Sequence, residues 1–151
     1  MSGPLVFVAA FLVMEAVSYA THRWVMHGVG MGWHRSHHAP PAGRLERNDL
    51  FPVCFSVLGF GAFLAAALLG SATLYWLAGG ITLYGAAYLF VHEVFIHRRV
   101  SVRLPPVAYL GWLREAHRDH HVSGGEPYGM LLPVRRRPAR AASTRLTRSR
   151  L

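Results

Sequence analysis

The sequence predicts an all-α fold: an integral membrane bundle of three transmembrane helices, or four shorter ones, with further helices at one membrane surface. Three observations carry that prediction. Hydrophobic residues make up 52% of the 151 residues and charged residues only 15%, well under the roughly 25% usual in soluble domains. Three apolar runs are each long enough to cross a hydrocarbon core, which takes about 20 helical residues. All sixteen basic residues are arginines, and every one lies at Arg23 or later and outside the turn between the second and third runs.

The first run extends from Pro4 to about Met26. No basic residue precedes it and Glu15 interrupts it, so it reads as a retained span rather than a cleaved signal. A polar stretch ends at Asn48-Asp49, where Asp49 is placed to cap the second run, Leu50 to Gly70. The third starts at Ala72 and reaches His97, leaving only a tight turn at Gly70-Ser71. Its length of about 39 Å, at about 1.5 Å per residue, exceeds a core of about 30 Å, so its last two turns should project from the membrane. Gly79-Gly80 is a candidate bend in this run, and with it comes the four-span alternative.

Pro105-Pro106 suits a helix start. The segment from Val107 to His121 is too short and too charged to span, and reads as an interfacial helix. Residues 1–134 form one membrane domain on this reading, and 135–151 (RRRPARAASTRLTRSRL) a basic, disordered tail.

Arginine placement orients the bundle. With three spans, the amino terminus and the hairpin turn face outside, and everything rich in arginine faces the cytoplasm. The net charge of +9 suits nucleic acid, an anionic membrane surface or an acidic partner. No aromatic platform or nucleic-acid motif accompanies it, so nucleic acid is not expected. The tail either docks an acidic protein or anionic lipid headgroups, or simply retains the cytoplasmic end. Cys54 is the only cysteine; it forbids an internal disulfide and a thiolate cluster, and reads as a buried small hydrophobe.

The ten histidines fall into four clusters: His22 and His27; His34, His37 and His38; His92 and His97; His117, His120 and His121. A five-residue step precedes an HxxHH box, twice over. At about 100° per residue, positions three and four apart share a helix face, so each box is expected to converge. The five-residue step suits either the frayed end of a helix or ligands that address two different metals. By topology all four clusters meet on the cytoplasmic side. Neutral imidazoles suit iron, zinc or copper rather than magnesium or calcium, and ten exceed the needs of one ion. Two ions with four or five imidazoles each fit the count. Structural zinc usually takes four ligands, often cysteines, so redox chemistry with oxygen at iron fits better.

Other candidates stay open between two roles each. Glu15, two helical turns before His22, either orients an imidazole or else hydrogen-bonds another helix or lies near the outer interface. Glu93 and Asp119 either offset metal charge or pair with Arg98 or Arg118. Tyr84 and Tyr88 line a substrate pocket or serve packing alone. Asn48 supports the site or makes a turn or cap. Metal-centred chemistry requires no side chain as nucleophile or general base.

The phrases HRWVMHG, WHRSHH, RLERNDLF, GAAYLFVHEVFIHRR and AHRDHH, in that order, resemble the bacterial β-carotene hydroxylase family. That family lies within the wider fatty-acid hydroxylase and sterol desaturase group of membrane non-haem di-iron enzymes. The likeness covers roughly residues 10 to 133. The histidine boxes mark the chemistry of the whole group, whereas RNDLF and GAAYLFVHE are nearer the carotenoid branch. The resemblance implies a bacterial inner-membrane monooxygenase that hydroxylates β-ionone rings at carbon 3, from β-carotene through β-cryptoxanthin to zeaxanthin. It implies O2, reduced ferredoxin and two iron ions (zinc being an alternative occupant of isolated protein), with all ten histidines as ligands. The alternatives are a related hydroxylase or desaturase acting on a sterol or fatty acyl lipid, and a haem-binding membrane cytochrome.

Overall fold

The computed structural model describes residues 2–134 apart from 41, 42 and 44; the basic tail expected over 135–151 lies outside the described residues. α1 (Gly3–Ala20) continues without a break into a wide-turned π-helical segment, Thr21–Val29. α2 (Met31–His38) is short, and a single 3-10 turn (Arg47–Asp49) leads into α3 (Leu50–Leu68). α4 (Ala72–Leu89) also ends in a π-helical segment, Phe90–Ile96, and α5 (Ala108–Ser123) follows a loop. Among the described residues three helices are long and apolar enough to cross a membrane: Gly3–Val29, Arg47–Leu68 and Ala72–Ile96.

The hairpin turn is where the sequence places it. The Ser71 amide donates to Ala66 O at 3.0 Å and the Gly70 amide to Ala67 O at 3.3 Å. This is a Schellman closure, which needs a left-handed residue, and Gly70 supplies φ +59°. Ser71 then opens α4, its Oγ accepting from the Leu74 amide.

α4 is the middle helix, with α1 packed on one side and α3 on the other. Gly79-Gly80 does not bend it. A Cβ at Gly80 would lie 2.4 Å from Phe7 O and 2.8 Å from Ala10 Cβ, so the glycine serves close approach of α1 to α4, as small residues do between membrane helices. The four-span alternative falls with the bend. Large side chains such as Leu12, Leu58 and Phe60 point outward, a surface suited to lipid rather than water. Cys54 shares that surface: it is exposed, not buried as expected, because the apolar run around it faces lipid rather than protein.

Two expected boundaries shift. Asp49 makes no side-chain cap on α3; its Oδ2 instead accepts from the Glu46 amide at 2.9 Å, closing the 3-10 turn. α5 begins at Ala108 rather than at Pro105-Pro106, since Val107 is still extended. The helix buries Leu113 against Val91 and Met130 and stops at left-handed Gly124, φ +67°.

Candidate metal centre

The π-helical segments resolve the five-residue steps. Where backbone bonds run i to i+5, the turn widens and residues five apart come onto one face. The Gly30 amide donates to Val25 O at 2.7 Å, and that of His97 to His92 O at 2.9 Å. His22 and His27 therefore serve one group and His92 and His97 the other, so neither pair is split between two metals.

The HxxHH boxes do the opposite. His34 and His38 join His22, His27 and His120 in one group of five. His37 joins His92, His97 and His117 in a second, with His121 Nε2 3.1 Å from His37 Nε2. The expectation that each box converges on one point is corrected here. Neighbouring positions 37 and 38 diverge by about 100° on α2, so His37 faces away from the group that takes His34 and His38. His120 crosses over from α5 in the same way.

Within the first group, His34 Nε2 lies 3.2 Å from His22 Nε2, 3.2 Å from His27 Nε2 and 3.1 Å from His38 Nε2. Its Nδ1 donates to Asn48 Oδ1 at 2.8 Å. His22 Nδ1 donates to Tyr128 O at 2.9 Å and His120 Nδ1 to Gly125 O at 2.6 Å. A carbonyl can only accept, so Nδ1 carries the proton and Nε2 presents a lone pair. In the second group His92 Nδ1 donates to Glu93 Oε1 at 2.6 Å, leaving its Nε2 3.0 Å from His37 Nε2.

Lone pairs pointed at one another repel unless a cation lies between them. The spacing fits one. Nitrogens about 2.1 Å from a shared ion sit about 3.0 Å apart at right angles and about 3.4 Å apart in a tetrahedron. Separations of 3.0–3.2 Å match the right-angled arrangement of a five- or six-coordinate ion. Burial holds the rings neutral, as metal binding requires. It lowers His34 and His120 to about 4 and His121 to about 3, with the neighbouring imidazoles adding to the effect. His37 and His117 are lowered by the same cause.

Of the remaining sequence candidates, Asn48 is buried and bonded to His34, and Glu93 is bonded to His92. Glu93 pairs with Arg99 at 3.0 Å rather than with Arg98. Arg98, just past the third span, is in a left-handed conformation (φ +52°), and Arg99 after it bridges Glu93, Glu46 and Asp49. Asp119 is exposed. Glu15 hydrogen-bonds Tyr84 of α4 and the non-helical backbone of Met130, Leu131 and Leu132, and none of these partners is an imidazole. Sequence reasoning missed Glu46, Arg99, Gly125 and Tyr128. RLERND held a signal for Glu46, but nothing in a sequence marks a backbone carbonyl as a ring-orienting acceptor.

Tyr84 and Tyr88 line an apolar cavity of about 460 Å³ enclosed by α1, α3 and α4. Its walls carry Phe51, Phe55, Phe60 and Phe63 from α3, and it ends at Asn48, His92 and Glu93. Tyr88 stacks on His92 with ring centroids 5.3 Å apart. Phe55 and Phe60 also reach the outer surface, so the cavity borders the lipid.

The fatty acid hydroxylase family model matches residues 7–135, most of the chain. The chain belongs to the fatty acid hydroxylase family. Its four histidine clusters all lie inside the matched region, and membership makes it a hydroxylase, an oxidoreductase. Among relatives of this family member is the "Beta-carotene hydroxylase" of Paracoccus sp. (strain PC1), 42% identical over 82% of this chain and 77% of the relative. That of Pantoea ananas is 39% identical over 81% and 69%. "Beta-carotene 3-hydroxylase 1, chloroplastic" of Arabidopsis thaliana is 36% identical over 83% and 42%. The family resemblance read from the motifs is borne out. No solved structure matches this hydroxylase significantly.

Proposed function

We propose that this hydroxylase is a β-carotene 3-hydroxylase, with two iron ions held by the ten histidines, five from His22, His27, His34, His38 and His120 and the rest from His37, His92, His97, His117 and His121. The observation that carries the reading is the meeting of convergent imidazole lone pairs with an aromatic, lipid-bordering cavity at His92. Ferrous ions in such a site supply reductive activation of O2 and transfer of one oxygen atom to an unactivated C–H bond, the other atom leaving as water with two electrons and two protons consumed.

The chain's own residues prepare that chemistry. Asn48, Glu93 and the carbonyls of Gly125 and Tyr128 fix ring orientation from the far nitrogen, a device that sets ligand basicity and geometry. Arg99 gathers three carboxylates beside the cluster and offsets their charge. Phe51, Phe55, Tyr84 and Tyr88 offer flat faces to a conjugated ring and polyene, which favours a carotenoid over a sterol or saturated acyl chain.

The haem alternative is set aside by geometry. A porphyrin plane needs clear space between two axial imidazoles, and nitrogens 3.0–3.2 Å apart leave none. We assign electrons to a ferredoxin-type donor, and place the cluster and carboxyl terminus on the cytoplasmic side of a bacterial inner membrane, the amino terminus outside. The arginine distribution supports this orientation.

Expression in bacteria that accumulate β-carotene, followed by pigment and metal analysis, tests the reading. Zeaxanthin and β-cryptoxanthin should appear. Unchanged β-carotene in cells whose purified protein carries iron would overturn the substrate assignment.

A further inference from the structure

We infer that Glu15 is a positioning residue for the five-histidine group, acting through the segment Gly125–Leu132 rather than by touching an imidazole. Glu15 lies inside the first span, where an ionised carboxylate is costly unless it is fully bonded. Its Oε1 accepts from the amides of Met130 (3.0 Å), Leu131 (3.1 Å) and Leu132 (2.9 Å). Its Oε2 accepts from Tyr84 OH at 2.6 Å and again from Leu131 at 3.0 Å. Three successive amides outside any helix or strand form a nest for one anion. At this depth both sides of the contact need each other, since unbonded amides are as costly in lipid as the bare carboxylate.

The segment held this way supplies two ring-orienting carbonyls, Tyr128 O to His22 and Gly125 O to His120. Both rings belong to the five-histidine group. The second group has different acidic neighbours: Glu93 Oε1 accepts from His92 Nδ1, and Glu46 Oε2 stands 3.5 Å from His37 Nδ1. Loss of Glu15 therefore loosens one group and spares the other. Other ties keep the segment attached without Glu15: Glu126 pairs with Arg23 at 3.0 Å, Tyr109 OH donates to Leu131 O, and Met130 packs on Val91 and Leu113. Tyr84 also lines the cavity, so the same carboxylate joins the substrate wall to the imidazoles.

This inference rests on the two-ion reading, and one experiment separates them. Purified full-length protein in detergent is loaded anaerobically with ferrous iron and dialysed against graded chelator. Wild type should hold two ions per chain; one or none would refute the two-ion reading, and this inference with it, before any variant is made. Glu15→Ala should keep one ion at wild-type affinity and bind the other about 10–100-fold more weakly. Glu15→Gln, which keeps an oxygen acceptor for the segment, should recover part of that loss. If Glu15→Ala does not insert, Gly129→Val reads out the same contact. A Cβ there would lie 2.8 Å from Glu15 Oε1 and 3.0 Å from Leu132 O, so it should weaken the same single ion. Two ions at wild-type affinity in Glu15→Ala, or equal weakening of both, would overturn the assignment.

Discussion

Asn48 Oδ1 lies 2.8 Å from Nδ1 of His34, the ring whose other nitrogen faces three further imidazole nitrogens. One amide thus fixes the tautomer of that ring. Asn48→Ala should lower metal affinity or turnover about 10–100-fold, whereas Asn48→Asp, which keeps the acceptor, should lose less. Chelator titration and pigment turnover check both variants. Equal loss in the two would mean the acceptor is not what matters.

Removing one ring from either group should stop the reaction without disturbing insertion. His37→Ala and His120→Ala each take a nitrogen from a different group, and both rings are buried. Pigment analysis should find no hydroxylated product, with membrane-fraction yield unchanged. Near-normal product from either variant would remove that residue from the ligand set.

The apolar runs, the hairpin turn and the membership of the cluster were legible because each is local or exhaustive. Leu50 to Gly70 and the following run announce themselves by length, Gly70 by the turn it must make, and the ten histidines by leaving none over. The partition between groups was not legible. Whether His22 and His27 share a group depends on a π-helical widening, which no residue type encodes on its own. The split of His37 from His38 depends on where α5 docks, a tertiary fact. Asp49 and Gly79-Gly80 show the same limit: a cap signal was diverted to the Glu46 amide, and a glycine pair that reads as a bend serves helix contact instead.

Filling the cavity should separate substrate binding from metal binding. Gly85 lines the cavity, and a side chain there would meet nothing within 4 Å of its Cβ. Gly85→Leu should fold well, since leucine is the better helix former by about 1 kcal/mol. We expect turnover of β-carotene to fall at least tenfold with iron content unchanged. Unimpaired turnover would place the substrate elsewhere.

Packing between α1 and α4 leaves no room at Gly80. Gly80→Val should cost about 1–3 kcal/mol or more through overpacking, because Phe7 O stands 2.4 Å from the new Cβ and is backbone. Thermal unfolding in detergent reads this out; an unchanged midpoint would contradict the close approach.

Metal-free protein should be acid-sensitive. His34 and His120 are lowered in the fold from 6.5 to about 4, and His121 to about 3, chiefly by burial. The unfolded chain therefore binds protons that the fold excludes. Stability present above about pH 6.5 should be lost as pH falls towards 4. Bound iron competes with those protons and should move the loss to lower pH. Thermal melts with and without iron, from neutral pH down, check this; a flat profile for the metal-free protein would contradict the buried neutral cluster.

Iron K-edge X-ray absorption of the anaerobically iron-loaded protein most directly tests the proposal that imidazoles hold two iron ions. It should show five or six light-atom neighbours at about 2.1 Å, with outer scattering from four or five imidazoles per iron. Four-coordinate iron, or neighbours dominated by carboxylate oxygen with little imidazole scattering, would contradict the account.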